Sequence, residues 1–169
     1  MQERRTLPIK ARQSLALVAM TLLATSAGAA GHAGGDVYLP SGGASQILTV
    51  DKETSALAGV LVLTEALAIN ETGPKATVRR FGETYAFSPA AFAVQRDQPT
   101  LITFRNLQPD DVHDFMLTDP DGTVLMKTPL PALRDTSYVF TFHHEGIYPF
   151  YCTIHQPAMS GQIIVLPAK

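Results

Sequence analysis

Turn-forming clusters cut the second half of the chain into short segments. They are Ser88-Pro89, Asp97-Gln98-Pro99, Gln108-Pro109-Asp110-Asp111, Asp119-Pro120-Asp121-Gly122, Pro129-Leu130-Pro131 and Glu145-Gly146. The segments between them, 76–87, 92–95, 101–106, 112–118, 123–127, 137–143, 147–152 and 162–166, read as strands. Many short strands at this spacing predict an all-β sandwich or barrel. Alternation assigns the faces, because successive strand side chains point to opposite sides. Tyr138, Phe140 and Phe142 share one face of their strand. His113 shares a face with Phe115 and Leu117, and Cys152 with Tyr148 and Phe150. His113 and Cys152 are therefore expected to point inward at strand ends.

The first third is less regular. Residues 1–13 carry Arg4, Arg5, Lys10 and Arg12 against Glu3 alone. An apolar run follows from Leu15 to Leu23, and then small residues ending Ala27-Gly28-Ala29. A basic head, a short apolar core and a small-residue end are the layout of a secretory signal peptide, so residues 1–29 are expected to be removed on export. Residues 31–43 are rich in Gly, Ser and Ala and read as flexible, and 46–50 as a short strand. Residues 54–70 fit either a helix, with Ala56, Val60, Leu63 and Leu67 on one face, or a strand over 59–63. Asn70-Glu71-Thr72-Gly73-Pro74 reads as a loop. The expected organisation is a leader over 1–29, an extension over 30–72 and one domain over 73–169.

Composition narrows the function. The whole chain has 13 Lys and Arg against 15 Asp and Glu, and 46% apolar residues. Without the leader, 9 basic residues face 14 acidic ones, a net charge of about −5. A disordered chain and a nucleic-acid binder are both excluded by this balance. The only cysteine is Cys152, so an internal disulfide, a cysteine-rich zinc site and a dithiol couple are excluded too. Outside the cytosol an unprotected thiol is open to oxidation. Something must occupy Cys152.

The closing segment supplies the occupant. Cys152, His155 and Met159 lie within eight residues, in one loop between two strands, and His113 starts an earlier strand. A thiolate, two imidazoles and a weak thioether are the donor set of a blue-copper site. Soft sulfur favours Cu(I), imidazole serves both oxidation states, and the long thioether bond lets neither dominate. Met116 and Met126 are rival thioethers on strands away from the loop. His143-His144 beside Glu145, and His32, read as solvated surface residues.

Several stretches carry a family likeness. Residues 83–89 (Glu-Thr-Tyr-Ala-Phe-Ser-Pro), Val112-His113-Asp114-Phe115, and 145–152 (Glu-Gly-Ile-Tyr-Pro-Phe-Tyr-Cys) are three of them. The others are the Cys152-x2-His155-x3-Met159 loop and the strand at 161–166. From about Gly73 to Pro167, roughly 95 residues, the chain resembles the cupredoxins, the group of plastocyanin, azurin and amicyanin. The resemblance implies a Greek-key β-sandwich with one copper ion at a pole. It implies His113, Cys152 and His155 as equatorial ligands and Met159 as the axial one. Asp114 stands where many members have Asn, and is expected to accept bonds from Thr153. His155 is expected near the surface beside Ile154, Pro157 and Ala158.

The function implied is one-electron transfer by an exported, monomeric carrier that is not an enzyme. Its partners would be redox proteins such as a cytochrome or a terminal reductase or oxidase, with no nucleic acid and no membrane span in the mature chain. Asp110, Asp111, Asp119 and Asp121 are candidates for steering a basic partner. The alternative is a periplasmic protein for copper delivery, storage or sensing. A third reading is an interaction domain of the same fold without copper.

Overall fold

The computed structural model describes residues 36–169, so the expected leader over 1–29 and His32 lie outside the described residues. The described chain is a sandwich of two five-stranded sheets. The strands are β1 (Leu48–Asp51), β2 (Ala58–Ala68), β3 (Thr84–Ser88), β4 (Ala91–Gln95), β5 (Thr100–Asn106), β6 (His113–Thr118), β7 (Val124–Leu130), β8 (Asp135–Phe142), β9 (Gly146–Tyr151) and β10 (Ser160–Leu166). One sheet runs β1-β8-β5-β2-β3, the other β4-β10-β9-β6-β7. The strand spacing predicts a sandwich or a barrel, and this is the Greek-key β-sandwich that the family resemblance implies. No helix among the described residues is long and apolar enough to cross a membrane.

The alternating residues build the core. His113, Phe115 and Leu117 are fully buried, as are Phe150 and Cys152, with Tyr148 nearly so. Phe115 packs 4.3 Å from Phe104 across the two sheets and 5.3 Å from Phe150 beside it (ring centroids). Each buried Phe contributes about 1.5–3 kcal/mol by leaving water. These rings therefore fix the sheets behind the strand ends where the candidate ligands sit.

Two parts of the chain differ from expectation, and a third, left open between helix and strand, is settled. Residues 75–81, expected as part of a strand over 76–87, form a short helix, α1 (Lys75–Phe81). Pro74 precedes it with extended backbone, and Gly82 ends it at φ 78°, where a side chain would be strained. The strand begins only at Thr84.

The ambiguous stretch 54–70 is settled as β2, which pairs parallel with β5 and antiparallel with β3. Val62 and Thr64 point into the core, while Leu61 and Leu67 stay exposed. Within the segment 31–43 read as flexible, Tyr38 exchanges two backbone bonds of 2.8 Å with Lys127 on β7, and at its end begins a turn of 3-10 helix, Gly42–Gln46. The sandwich thus draws on residues well before Gly73, where the family likeness begins.

Candidate metal centre

Two antiparallel strands bring the first donors together. β6 and β9 pair with Met116 opposite Tyr151 and Leu117 opposite Phe150. Beyond that ladder the two chains stay zipped by side chains. The Asp114 N–H donates to Cys152 Sγ at 3.5 Å, and the Thr153 N–H donates to Asp114 Oδ1 at 2.6 Å. His113 is the first residue of β6 and Cys152 directly follows β9, so both stand at one pole of the sandwich.

The loop after Cys152 returns the other two residues. The Met159 N–H donates to the His155 carbonyl at 3.1 Å, and the Cys152 N–H to the Met159 carbonyl at 2.9 Å. Met159 is fully buried in the same core cluster as Cys152. Gly161 closes the loop against the opposite strand. A Cβ there would lie 2.2 Å from the Ala90 carbonyl and 2.4 Å from the Phe150 ring. Any other residue would push β10 away and displace Met159 with it.

The donor atoms form a tight triangle. His113 Nδ1 is 3.0 Å from His155 Nδ1, and Cys152 Sγ is 4.0 Å from the first and 3.6 Å from the second. Three donors at roughly 2.0–2.3 Å from a common ion stand about this far apart. The residues present therefore fit a metal ion. Among the described residues this is the one such group of His, Cys and acidic side chains.

Burial keeps the two imidazoles unprotonated and the thiol protonated. Burial pushes the His113 imidazolium down to about 4, and His155 beside it adds to the fall. Burial also lowers His155 and raises the Cys152 thiol. Backbone N–H groups of Asp114, Ile154 and His155 oppose the rise at Cys152 by favouring the thiolate. A metal ion supplies the positive charge that would hold the thiolate in this buried place. His113 Nε2, on the far side of the ring, is buried and has no protein partner.

One neighbouring arrangement matches the expectation from the sequence, and two others do not follow from it. Asp114 does accept from Thr153, through both its N–H and its hydroxyl. Its carboxylate also meets Lys127 Nζ at 3.1 Å, an ion pair with no local signal in the sequence. Tyr85 was missed as a neighbour of the site. Its buried ring lies 4.9 Å from the His113 ring and 4.5 Å from the His155 ring. Its hydroxyl donates to Asp111 Oδ2 at 2.5 Å. Asn106 holds the loop before His113, donating to the carbonyls of Asp111 and Leu130 and accepting from Thr64 and Gln108.

The other candidates stand elsewhere. Met126 is buried on β7, and Met116 points away from the core, accepting a long contact from the Tyr151 hydroxyl. His143 is held between Asp97 and Thr49, each at 2.9 Å. Asp119 lies beyond the far end of β6, and its carboxylate caps the turn through Asp121 N–H and Thr123 N–H.

Comparison with known proteins points to the same architecture. The chain is similar in fold to auracyanin B, with a TM-score of 0.51 and 16% identity over 70% of this chain and 98% of that one. It is similar to a multicopper oxidase from Campylobacter jejuni, with a TM-score of 0.52 and 8% identity over 69% of this chain and 31% of that one. An auracyanin from Roseiflexus castenholzii aligns at 17% identity over 67% of this chain and all of the other, with a TM-score of 0.48. No protein-family model and no curated protein matches. At these identities the likeness is one of fold: the chain has the cupredoxin fold that its sequence resembles.

Proposed function

We propose that the chain is an exported, mononuclear type 1 copper protein that carries single electrons between redox proteins. His113, Cys152 and His155 would hold the ion, with Met159 as the weak axial donor. The observation that carries this reading is the donor triangle of 3.0, 3.6 and 4.0 Å, closed by one thiol and two imidazole nitrogens. Copper, when bound, supplies the one-electron couple.

The chain's own residues do the rest. The aromatic core and the Asp114–Thr153 clamp hold the donors rigidly, so that little would move on electron transfer. Full burial of His113, Cys152 and Met159 keeps water from the donors. His155 is only half-buried, next to exposed Ile154, Pro157 and Ala158. It is the natural exit for the electron.

A carrier is favoured over an enzyme by donor count. Three strong donors and one axial donor leave no position for a substrate. Export is supported by the leader pattern of residues 1–29 and by the need to protect a lone thiol. Adding Cu(II) to the protein tests the reading. An intense visible thiolate-to-copper band that saturates at one equivalent is expected, and a protein that stays colourless would sink it.

A further inference from the structure

The segment that precedes the sandwich is stitched to the strand bearing the cation beside the metal centre. β7 is the outermost strand of its sheet, so no other strand of the sandwich covers one of its edges. Tyr38 bonds that strand at a single place, Lys127. The Tyr38 N–H donates to the Lys127 carbonyl, and the Lys127 N–H to the Tyr38 carbonyl, each at 2.8 Å. Among the described residues this is the only backbone tie between 36–47 and β7. Tyr38 itself stays 43% exposed, so the hold is one of backbone rather than of side-chain packing.

Lys127 reaches both residues that clamp the donors. Its ammonium meets Asp114 Oδ2 at 3.1 Å and donates to Thr153 Oγ1 at 3.4 Å. Asp114 follows His113 in the chain and Thr153 follows Cys152. Asp114 alternates with Phe115, so it faces away from the core, yet it is buried. A buried carboxylate repels a thiolate beside it, and solvent screens that repulsion poorly. Lys127 is the only cation paired with Asp114 among the described residues. Its four-carbon stem is flexible, and an edge strand without a neighbour frays readily. The backbone bridge at Tyr38 secures β7 at the residue whose charge is needed.

We propose that the segment at Tyr38 is a positioning element of the metal centre: by fixing the Lys127 backbone it holds the ammonium against Asp114, and so sets the reduction potential of the bound ion. The chain of contacts runs from Tyr38 to Lys127, then to the Asp114–Thr153 clamp, and from the Asp114 N–H to Cys152 Sγ. A positive charge near the centre favours the less positive oxidation state. Loosening Lys127 therefore leaves the Asp114 charge uncompensated and lowers the potential.

The inference rests on the copper-carrier reading, and the test separates the two. In the metal-free full chain, NMR should show the Lys127 amide exchanging slowly with solvent deuterium. Tyr38→Pro removes the donor at that position and should speed the exchange by about tenfold or more. Fast exchange in the unaltered chain would overturn the positioning role, whatever the metal does. In the copper-loaded protein, Tyr38→Pro should lower the reduction potential, in the same direction as Lys127→Gln. Tyr38→Ala keeps both backbone bonds and should leave the potential where it is. In a Lys127→Gln background, Tyr38→Pro should add no further shift, because its effect passes through the ammonium. An unchanged potential in Tyr38→Pro, or an equal shift with and without Lys127, would overturn the positioning role and leave the copper reading intact. Absence of the visible thiolate-to-copper band in the unaltered protein would overturn both.

Discussion

His113 Nδ1 and His155 Nδ1 lie 3.0 Å apart, although 42 residues separate them in the chain. At that distance one ring nitrogen donates a hydrogen bond to the other, and a positive charge on both rings is disfavoured. Burial and this mutual repulsion both hold His113 neutral, at about 4.

A pH dependence follows for the metal-free protein. The unfolded His113 titrates near 6.5 and the folded one at about 4, so the unfolded state binds more protons between those values. Stability should therefore fall as pH drops from about 6.5 towards 4. His155 adds to the trend, since burial lowers it too. Thermal unfolding of the metal-free protein at a series of pH values checks this. A His113→Phe variant should show a shallower fall across the window.

The Asp114 carboxylate and the Lys127 ammonium sit beside the thiol as a pair 3.1 Å apart. Negative charge near the centre stabilises the more positive oxidation state. Asp114→Asn should raise the reduction potential, and Lys127→Gln should lower it, each by on the order of 50 mV, or about 1 kcal/mol. Protein-film voltammetry reads both shifts. An unchanged or lowered potential in Asp114→Asn would remove the electrostatic role. Thr153 can still donate to the asparagine oxygen, so the clamp itself should survive.

Tyr85 separates packing from hydrogen bonding at the same place. Tyr85→Phe keeps the ring against both imidazoles and loses the bond to Asp111. It should cost about 1–2 kcal/mol of folding stability and leave the visible spectrum nearly unchanged. Tyr85→Ala removes the ring and should cost about 3–5 kcal/mol, with a broadened or shifted band as the imidazoles loosen. Chemical denaturation of both variants gives the two numbers.

How far the sequence reveals this protein depends on how local each signal is. The inward face of β6 was legible because His113, Phe115 and Leu117 alternate with residues of other kinds. The ligand loop was legible because Cys152, His155 and Met159 fall within eight residues between two strands. β2 was not, since Leu61 and Leu67 put apolar side chains on its exposed face and blur the alternation. α1 was mistaken for strand because Val78 and Phe81 suit either state, and the flanking Pro74 and Gly82 carried the better signal. The Tyr85–Asp111 bond and the Lys127–Asp114 pair join distant segments and leave no local trace. They are visible only once the strands are paired.

The central claim is that one copper ion sits among His113, Cys152 and His155. X-ray absorption at the copper edge of the loaded protein tests it most directly. One short sulfur bond of about 2.2–2.3 Å and two nitrogen bonds near 2.0 Å are expected, with the sulfur lost in Cys152→Ser. A copper shell of nitrogen and oxygen alone in the unaltered protein would contradict it.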